Sequence, residues 1–241
     1  MISKSQVKYI QSLGQKKHRD EFGLFIAEGP KLVKELMQET NAMIEEVFAV
    51  EEWIAENRKW VDGVTEISFQ ELERISQLTT PNQVVAIVKK FPVEEPVVKA
   101  KVSLVLDTIQ DPGNLGTIIR TADWFGVRQI ICSEDCADLY NPKVVQATMG
   151  SIARVKVFYT DLVGWLQKQK EIRIYATMLE GKDISKMSPL TEGLILIGNE
   201  SKGISGELLQ LANEKITIIK KGKAESLNAA VAVGIVLERL S

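Results

Sequence analysis

Beyond residue 100, six short apolar runs alternate with helical spacers, and that alternation leaves few folds open. The runs are 102–106, 129–133, 155–158, 172–177, 194–197 and 216–219. Strands that are apolar throughout are buried on both faces, and intervening helices supply the crossovers. The pattern therefore predicts an α/β fold with a mainly parallel sheet flanked by helices. Three of the runs end in polar, glycine-bearing elbows. Run 102–106 leads through Asp111-Pro112-Gly113-Asn114 to Arg120, run 194–197 enters Gly198-Asn199-Glu200, and run 216–219 leads to Gly222 and then Ser226-Leu227-Asn228. Open α/β sheets collect ligands outside the carboxyl ends of their strands, so the three elbows are expected to build one site.

The first part of the chain is organised differently. Residues 89–96, Lys-Lys-Phe-Pro-Val-Glu-Glu-Pro, are charged and carry two prolines between two β-like runs, which predicts a linker and a domain boundary near residue 97. Before it, helical patterns at about 4–13, 30–39 and 68–77 alternate with β-like runs at 47–50, 64–67 and 84–88. Ser68 and Glu71 have the spacing of a capping box. A small α/β sandwich over 1–97 should precede a larger domain over 98–241.

Charge is unevenly placed although the net value is only -2. Residues 1–19 hold Lys4, Lys8, Lys16, Lys17 and Arg19 without a carboxylate, whereas 41–75 is rich in glutamate. A local basic segment suits a phosphate-bearing partner regardless of the overall sum, and a solvated helix face is the other reading. Cys132 and Cys136 are the only cysteines and His18 the only histidine, too few ligands for a tetrahedral zinc site, so no metal is expected. No apolar run approaches the length of a membrane span, and the opening residues lack a signal-peptide pattern, so the expected compartment is the cytoplasm.

Each elbow can be a simple turn or helix cap. Arg120 is harder to explain that way: its neighbours Ile118, Ile119 and Ala122 are apolar, and an arginine beside a core-facing stripe needs an anionic partner. The second elbow lacks phosphate-loop spacing, and Glu200 would repel a phosphate. No Gly-x-Gly-x-x-Gly follows a strand, which argues against a nicotinamide-dependent oxidoreductase. A lone histidine leaves the chemistry to Arg, Glu, Ser, Asn and main-chain groups.

Taken in order and spacing, Asn114-Leu115-Gly116-Thr117-Ile118-Ile119-Arg120, Ile197-Gly198-Asn199-Glu200-Ser201-Lys202-Gly203 and Ser226-Leu227-Asn228-Ala229-Ala230 resemble the three motifs of the SpoU (TrmH) branch of the SPOUT RNA methyltransferases. Asn141-Pro142-Lys143 through Met149-Gly150-Ser151 matches a stretch common there, and Lys17-x-Arg19 through Glu28-Gly29 is similar to the substrate-binding domain that precedes many members. The resemblance implies a trefoil-knotted C-terminal domain, a homodimer formed through it, and methylation of a ribose 2'-hydroxyl in structured RNA with S-adenosylmethionine as donor. Ribosomal RNA is the expected substrate; transfer RNA or a non-catalytic RNA-binding relative are the alternatives. By motif match, Gly198, Ile218 and Leu227, with Asn199 and Gly222, are expected around the cofactor. Arg120, Asn114, Glu200, Ser226 and Asn228 match the polar set at the reaction centre, and Lys4, Lys8, Lys17 and Arg19 are the expected RNA contacts. The chain departs from the family at Ile218-Ile219-Lys220-Lys221-Gly222, where Ile-Pro-Met is frequent before the glycine.

Overall fold

The computed structural model describes residues 2–60, 62–199 and 201–241. In chain order the first elements are α1 (Lys4–Ser12), α2 (Lys16–Phe22), β1 (Leu24–Glu28), α3 (Pro30–Gln38), β2 (Ile44–Ala49), α4 (Glu51–Glu56), β3 (Val64–Glu66), α5 (Phe69–Ile75) and β4 (Val84–Lys89). There follow β5 (Val102–Leu106), α6 (Pro112–Trp124), β6 (Gln129–Cys132), α7 (Pro142–Thr148), β7 (Lys156–Tyr159), α8 (Leu162–Gln167), β8 (Ile174–Asp183), β9 (Gly193–Ile197), α9 (Gly206–Leu211), β10 (Glu214–Thr217) and α10 (Ala229–Leu240). Among the described residues no helix is long and apolar enough to cross a membrane.

The chain forms two compact units, and the grouping differs from a single cut near residue 97. One unit runs to Pro92 and also takes in Asp138–Ala153; the other comprises Val93–Ala137 and Arg154–Ser241. The borrowed strap is fixed to the first unit by specific contacts. Tyr140 packs on Phe25 with ring centroids 5.0 Å apart, and its hydroxyl accepts from the Phe91 amide at 2.9 Å. Asn41 Nδ2 donates to the Ala153 carbonyl at 2.6 Å. A Cβ on Gly150, at φ +97°, would come within 2.6 Å of the Glu35 Cβ, so the crossing of α3 requires glycine.

The first unit is a four-stranded sheet in the order β1-β4-β2-β3, antiparallel except for β2 with β3. Phe25, Phe48 and Trp53 are its largest core side chains, each at most 1 % exposed. The Ser68 capping box forms, with Ser68 Oγ accepting from the Glu71 amide and the Glu71 carboxylate accepting from the Ser68 amide. Strand β1 is an addition to the expected set. Arg19 corrects the sequence reading of the basic segment: it is buried at 2 % exposure, paired with Asp138 at 2.6 Å, and donates to the carbonyls of Leu13 and Gly14. It anchors the strap and is not a surface cation, whereas Lys4, Lys8 and Lys17 are exposed.

The second unit is a six-stranded sheet, parallel throughout, in the order β10-β8-β9-β5-β6-β7. Successive strand residues point to opposite faces. Val105, Ile131, Leu194 and Leu196 pack with Leu162, Trp165 and Leu166 of α8 and Leu208 of α9. On the other side α6 and α10 pack on each other. From β5 the chain moves outward through β6 to β7, then returns to place β9 on the opposite flank of β5. The order therefore reverses between β5 and β9, the position where such sheets open a ligand crevice.

Two strands differ from expectation for one reason. β8 continues to Asp183 rather than ending at 177, and β10 stops at Thr217, so Ile218 and Ile219 leave the sheet. The Glu180-Gly181-Lys182 stretch has the composition of a turn, yet Gly181 lies within the β8–β10 pair, where a Cβ would meet the Lys215 main chain at 2.7 Å. The C-terminal segment is apolar on its outer side as well. Leu227, Val231 and Ile235 are exposed at 44, 52 and 37 %, and the core takes Ala229, Ala230, Val233, Val236, Leu237 and Leu240.

Candidate active site

The carboxyl ends of β5, β9 and β10 meet in one place, held together by side chains from the elbows themselves. Asp111 caps α6, accepting from the Asn114 amide at 2.7 Å, with Pro112 in the first turn. Asn228 caps α10 through its Oδ1, which accepts from the amides of Ala230 and Val231. Its Nδ2 donates to Asn114 Oδ1 at 2.9 Å. The first and third elbows are therefore joined side chain to side chain.

Asn199 closes the second elbow. Its Oδ1 accepts from the amides of Ser201 and Lys202 at 2.9 and 3.1 Å, and its main chain bridges to Gly203. Its Nδ2 donates to the Thr108 carbonyl at 2.8 Å. Its side chain thus organises the loop and ties it to β5. Asp107 adds a second tie, accepting from the Ser205 amide at 2.8 Å. Gly198 sits so close to the returning chain that a Cβ would fall well inside contact distance of the Gly203 and Ile204 main chain.

Thr108 has φ +58°, unusual for a β-branched residue and costly in strain. It is held by three bonds: its amide to Ser133 Oγ at 2.9 Å, its hydroxyl to Asp107 Oδ1 at 2.9 Å, and its carbonyl to Asn199. Cys136 supports the same turn, its Sγ accepting from the Ile109 amide at 3.2 Å. Donation from the Cys132 thiol is the main cause that lowers the Cys136 pKa to about 7. Among the described residues no group of histidine, cysteine and carboxylate side chains could hold a metal. Sequence reasoning missed Asp107 and Thr108, although Asp107 is the first polar residue after an apolar strand.

These ties frame a pocket of about 1080 Å³ between β8, β9, β10 and the start of α10. Gly198, Asn199, Ile218, Gly222, Ser226 and Leu227 all line it, as do Met178, Leu179 and Glu180 from the unexpected extension of β8. The pocket is larger than the 300–1,000 Å³ usual for small-ligand sites by a small margin. Its walls are largely aliphatic, with main chain available at Gly198 and Ile218 and with Glu180, Glu225, Lys202, Lys220 and Lys221 at its border. An apolar slot with peptide groups suits a nucleoside.

Asn114 and Asn228 meet beside α6 and α10 rather than in the wall of the pocket. Glu200 lies outside the described residues. Arg120, expected to need an anionic partner beside the core-facing stripe, is exposed, on a stripe of α6 with Gly113, Thr117 and Trp124, opposite the buried Leu115, Ile118, Ile119 and Ala122. Among the described residues no carboxylate pairs with it.

A parallel sheet whose order reverses beside a slot walled by the second and third elbows, with the first elbow tied to both, defines an α/β cofactor-binding domain with no glycine-rich dinucleotide loop. Residues 101–238 match the SpoU rRNA Methylase family, and residues 4–86 match the MRM3-like substrate binding domain. The chain belongs to the SpoU methylase family. It is 31 % identical to the 23S rRNA (guanosine(2553)-2'-O)-methyltransferase RlmP of Bacillus subtilis, over 98 % of this chain and 95 % of that protein. A solved TrmH-family structure from Porphyromonas gingivalis superposes with TM-score 0.87 at 33 % identity, covering 99 % of this chain and 98 % of the other. An rRNA methyltransferase from Sinorhizobium meliloti, solved with S-adenosylmethionine bound, gives TM-score 0.84 at 32 % identity, with 99 % of this chain and 95 % of that one covered.

Proposed function

We propose that this protein transfers a methyl group from S-adenosylmethionine to a ribose 2'-hydroxyl of large-subunit ribosomal RNA, in the cytoplasm. The observation that carries the reading is the bonded set of three elbows beside the slot, in a chain similar over nearly its whole length to a 23S rRNA 2'-O-methyltransferase. The cofactor supplies an electrophilic methyl carbon. Main-chain groups at Gly198, Ile218 and Leu227, with Asn199 and Gly222 shaping the loops, hold its adenosine part, and the aliphatic walls exclude water from it.

A ribose hydroxyl is a poor nucleophile, so the protein must place its oxygen and favour the negative charge that develops there. Arg120 is the residue proposed for this. A guanidinium stays protonated at physiological pH and is suited to stabilising an oxyanion or an adjacent phosphate, not to removing a proton. Asn114 and Glu200 orient it, and Ser226 and Asn228 complete the polar set. In this reading the loops around the slot are those of the family's trefoil knot. Residues 98–241 form the methyltransferase domain and residues 1–97 the RNA-binding domain and linker, with Lys4, Lys8 and Lys17 contacting phosphates.

The active form is a homodimer built on α6 and α10. The support is an apolar face that the single chain leaves open: Trp124 is 84 % exposed, and α10 is apolar on its outer side as well as its inner side. A second copy covering this face also shields Arg120 from bulk water. Trp124→Glu with Ile235→Glu should convert the protein to a folded monomer in analytical ultracentrifugation and reduce turnover at least tenfold. A wild-type protein that sediments as a monomer at micromolar concentration contradicts the dimer.

A further inference from the structure

Gly29, the N-cap of α3, has φ +92° and no side chain, and two carboxamides share the space over it. A Cβ at this position would lie 3.9 Å from Asn82 Nδ2 and 3.9 Å from Gln146 Nε2. The two amides come from distant parts of the chain: Asn82 precedes β4, and Gln146 is on α7 in the strap. Neither takes part in the side-chain hydrogen bonds found among the described residues, although Asn82 is exposed and Gln146 half-buried.

Two exposed lysines lie on the elements that carry Gly29 and Gln146. Lys143 is exposed one turn before Gln146, on the face of α7 opposite the buried Val144, Val145 and Thr148, and Lys31 is exposed in the first turn of α3. The nearest carboxylate in sequence, Glu28, is buried and committed elsewhere, accepting from Ser76 Oγ at 2.5 Å and the Gln77 amide at 2.7 Å. Burial raises its pKa, against the lowering effect of these bonds.

A carboxamide presents a donor and an acceptor side by side, the pattern found on the edge of a nucleobase, and ammonium groups beside it suit the flanking phosphates. Proteins read RNA sequence mainly from unpaired bases, through those edges. We propose that Asn82 and Gln146 form a subsite for one unpaired base of the RNA substrate, with Lys31 and Lys143 holding the adjoining phosphates. The inference rests on the RNA methyltransferase reading and adds to it a place where the substrate is recognised away from the cofactor slot. It also gives the strap a role: Gln146, encoded within the methylase-like part of the sequence, completes a site in the substrate-binding unit.

The test compares the full chain with Asn82→Ala/Gln146→Ala, with the isosteric Asn82→Asp/Gln146→Glu, and with Lys31→Gln/Lys143→Gln. Binding is measured to unmodified large-subunit rRNA made by transcription and to a fully paired RNA duplex. Both carboxamide variants should bind the transcript roughly ten- to hundredfold more weakly, with duplex affinity unchanged for the alanine pair. The lysine pair should weaken both RNAs and lower the salt slope by about 1 to 2. Affinity of the alanine pair for the transcript within twofold of wild type, with an unshifted thermal midpoint, overturns the subsite. If the wild type methylates the transcript while that variant binds it normally, only the subsite fails; if the wild type does not bind the transcript, subsite and RNA reading fail together.

Discussion

Gly198→Ala is expected to weaken binding of S-adenosylmethionine severely and to lower the stability of the second unit by about 3 kcal/mol, the upper end of overpacking costs. The new methyl group would have to enter the main chain of Gly203 and Ile204, which cannot turn aside as a side chain can. Those residues are pinned from three directions. Asn199 pairs with Gly203 through the main chain, its side chain holds the Thr108 carbonyl, and Asp107 holds the Ser205 amide. Relief would require releasing at least one of these ties and opening the wall of the slot. Calorimetric titration should show cofactor affinity reduced at least roughly hundredfold, a difference of about 2.7 kcal/mol. Asn199→Ala should give a milder loss of the same kind, because it unties the loop without filling it.

Arg120→Ala should reduce kcat by roughly 100- to 1,000-fold, the range found when one group that stabilises developing oxygen charge is removed. Stability should change by no more than about 0.5 kcal/mol, since the side chain is exposed and has no ion-pair partner among the described residues. Cofactor affinity should be unchanged, because Arg120 does not line the slot. Arg120→Lys should recover only part of the rate: the charge returns but the planar, two-pronged donor does not. Normal turnover in Arg120→Ala, with folding and cofactor binding intact, would remove Arg120 from the reaction.

The parallel sheet was legible because strands buried on both faces are almost wholly apolar: run 194–197 has no polar position to misplace, and in 102–106 the one polar residue, Ser103, is buried and accepts from Gln129 Nε2. Legibility ended where the backbone serves the slot. Residues 178–183 carry a glycine that resembles a turn signal, but the glycine is there because two strands approach closely at Lys215. The buried face of helix α10 was not legible, because the helix is apolar on nearly every side and periodicity offers no contrast between the core and an outer face. Arg19 had the charge of an RNA contact, and nothing local revealed that Asp138, 119 residues away, would bury it. The same distance problem hides the strap, whose ties to Phe25, Asn41 and Glu35 all cross between sequence regions.

The site shows the converse. Its loops could be expected to converge because parallel strands present their carboxyl ends together, and the hydrogen bond between Asn114 and Asn228 joins residues 114 positions apart. What could not be read was how they converge. Thr108 in a left-handed conformation, Asp107 reaching Ser205, and Asn199 spending its side chain on the loop are consequences of tertiary packing. They make several residues near the slot structural supports for main-chain recognition.

The central claim is ribose methylation of ribosomal RNA, and the most direct test is transfer of a labelled methyl group from S-adenosylmethionine to unmodified large-subunit rRNA by the purified full chain. A 2'-O-methyl group blocks alkaline cleavage at the adjoining phosphodiester, so the label should map to a single nucleotide as an alkali-resistant linkage, and it should be absent with Arg120→Ala. Label on a base, or no label on RNA that the protein binds in the presence of the cofactor, would contradict it.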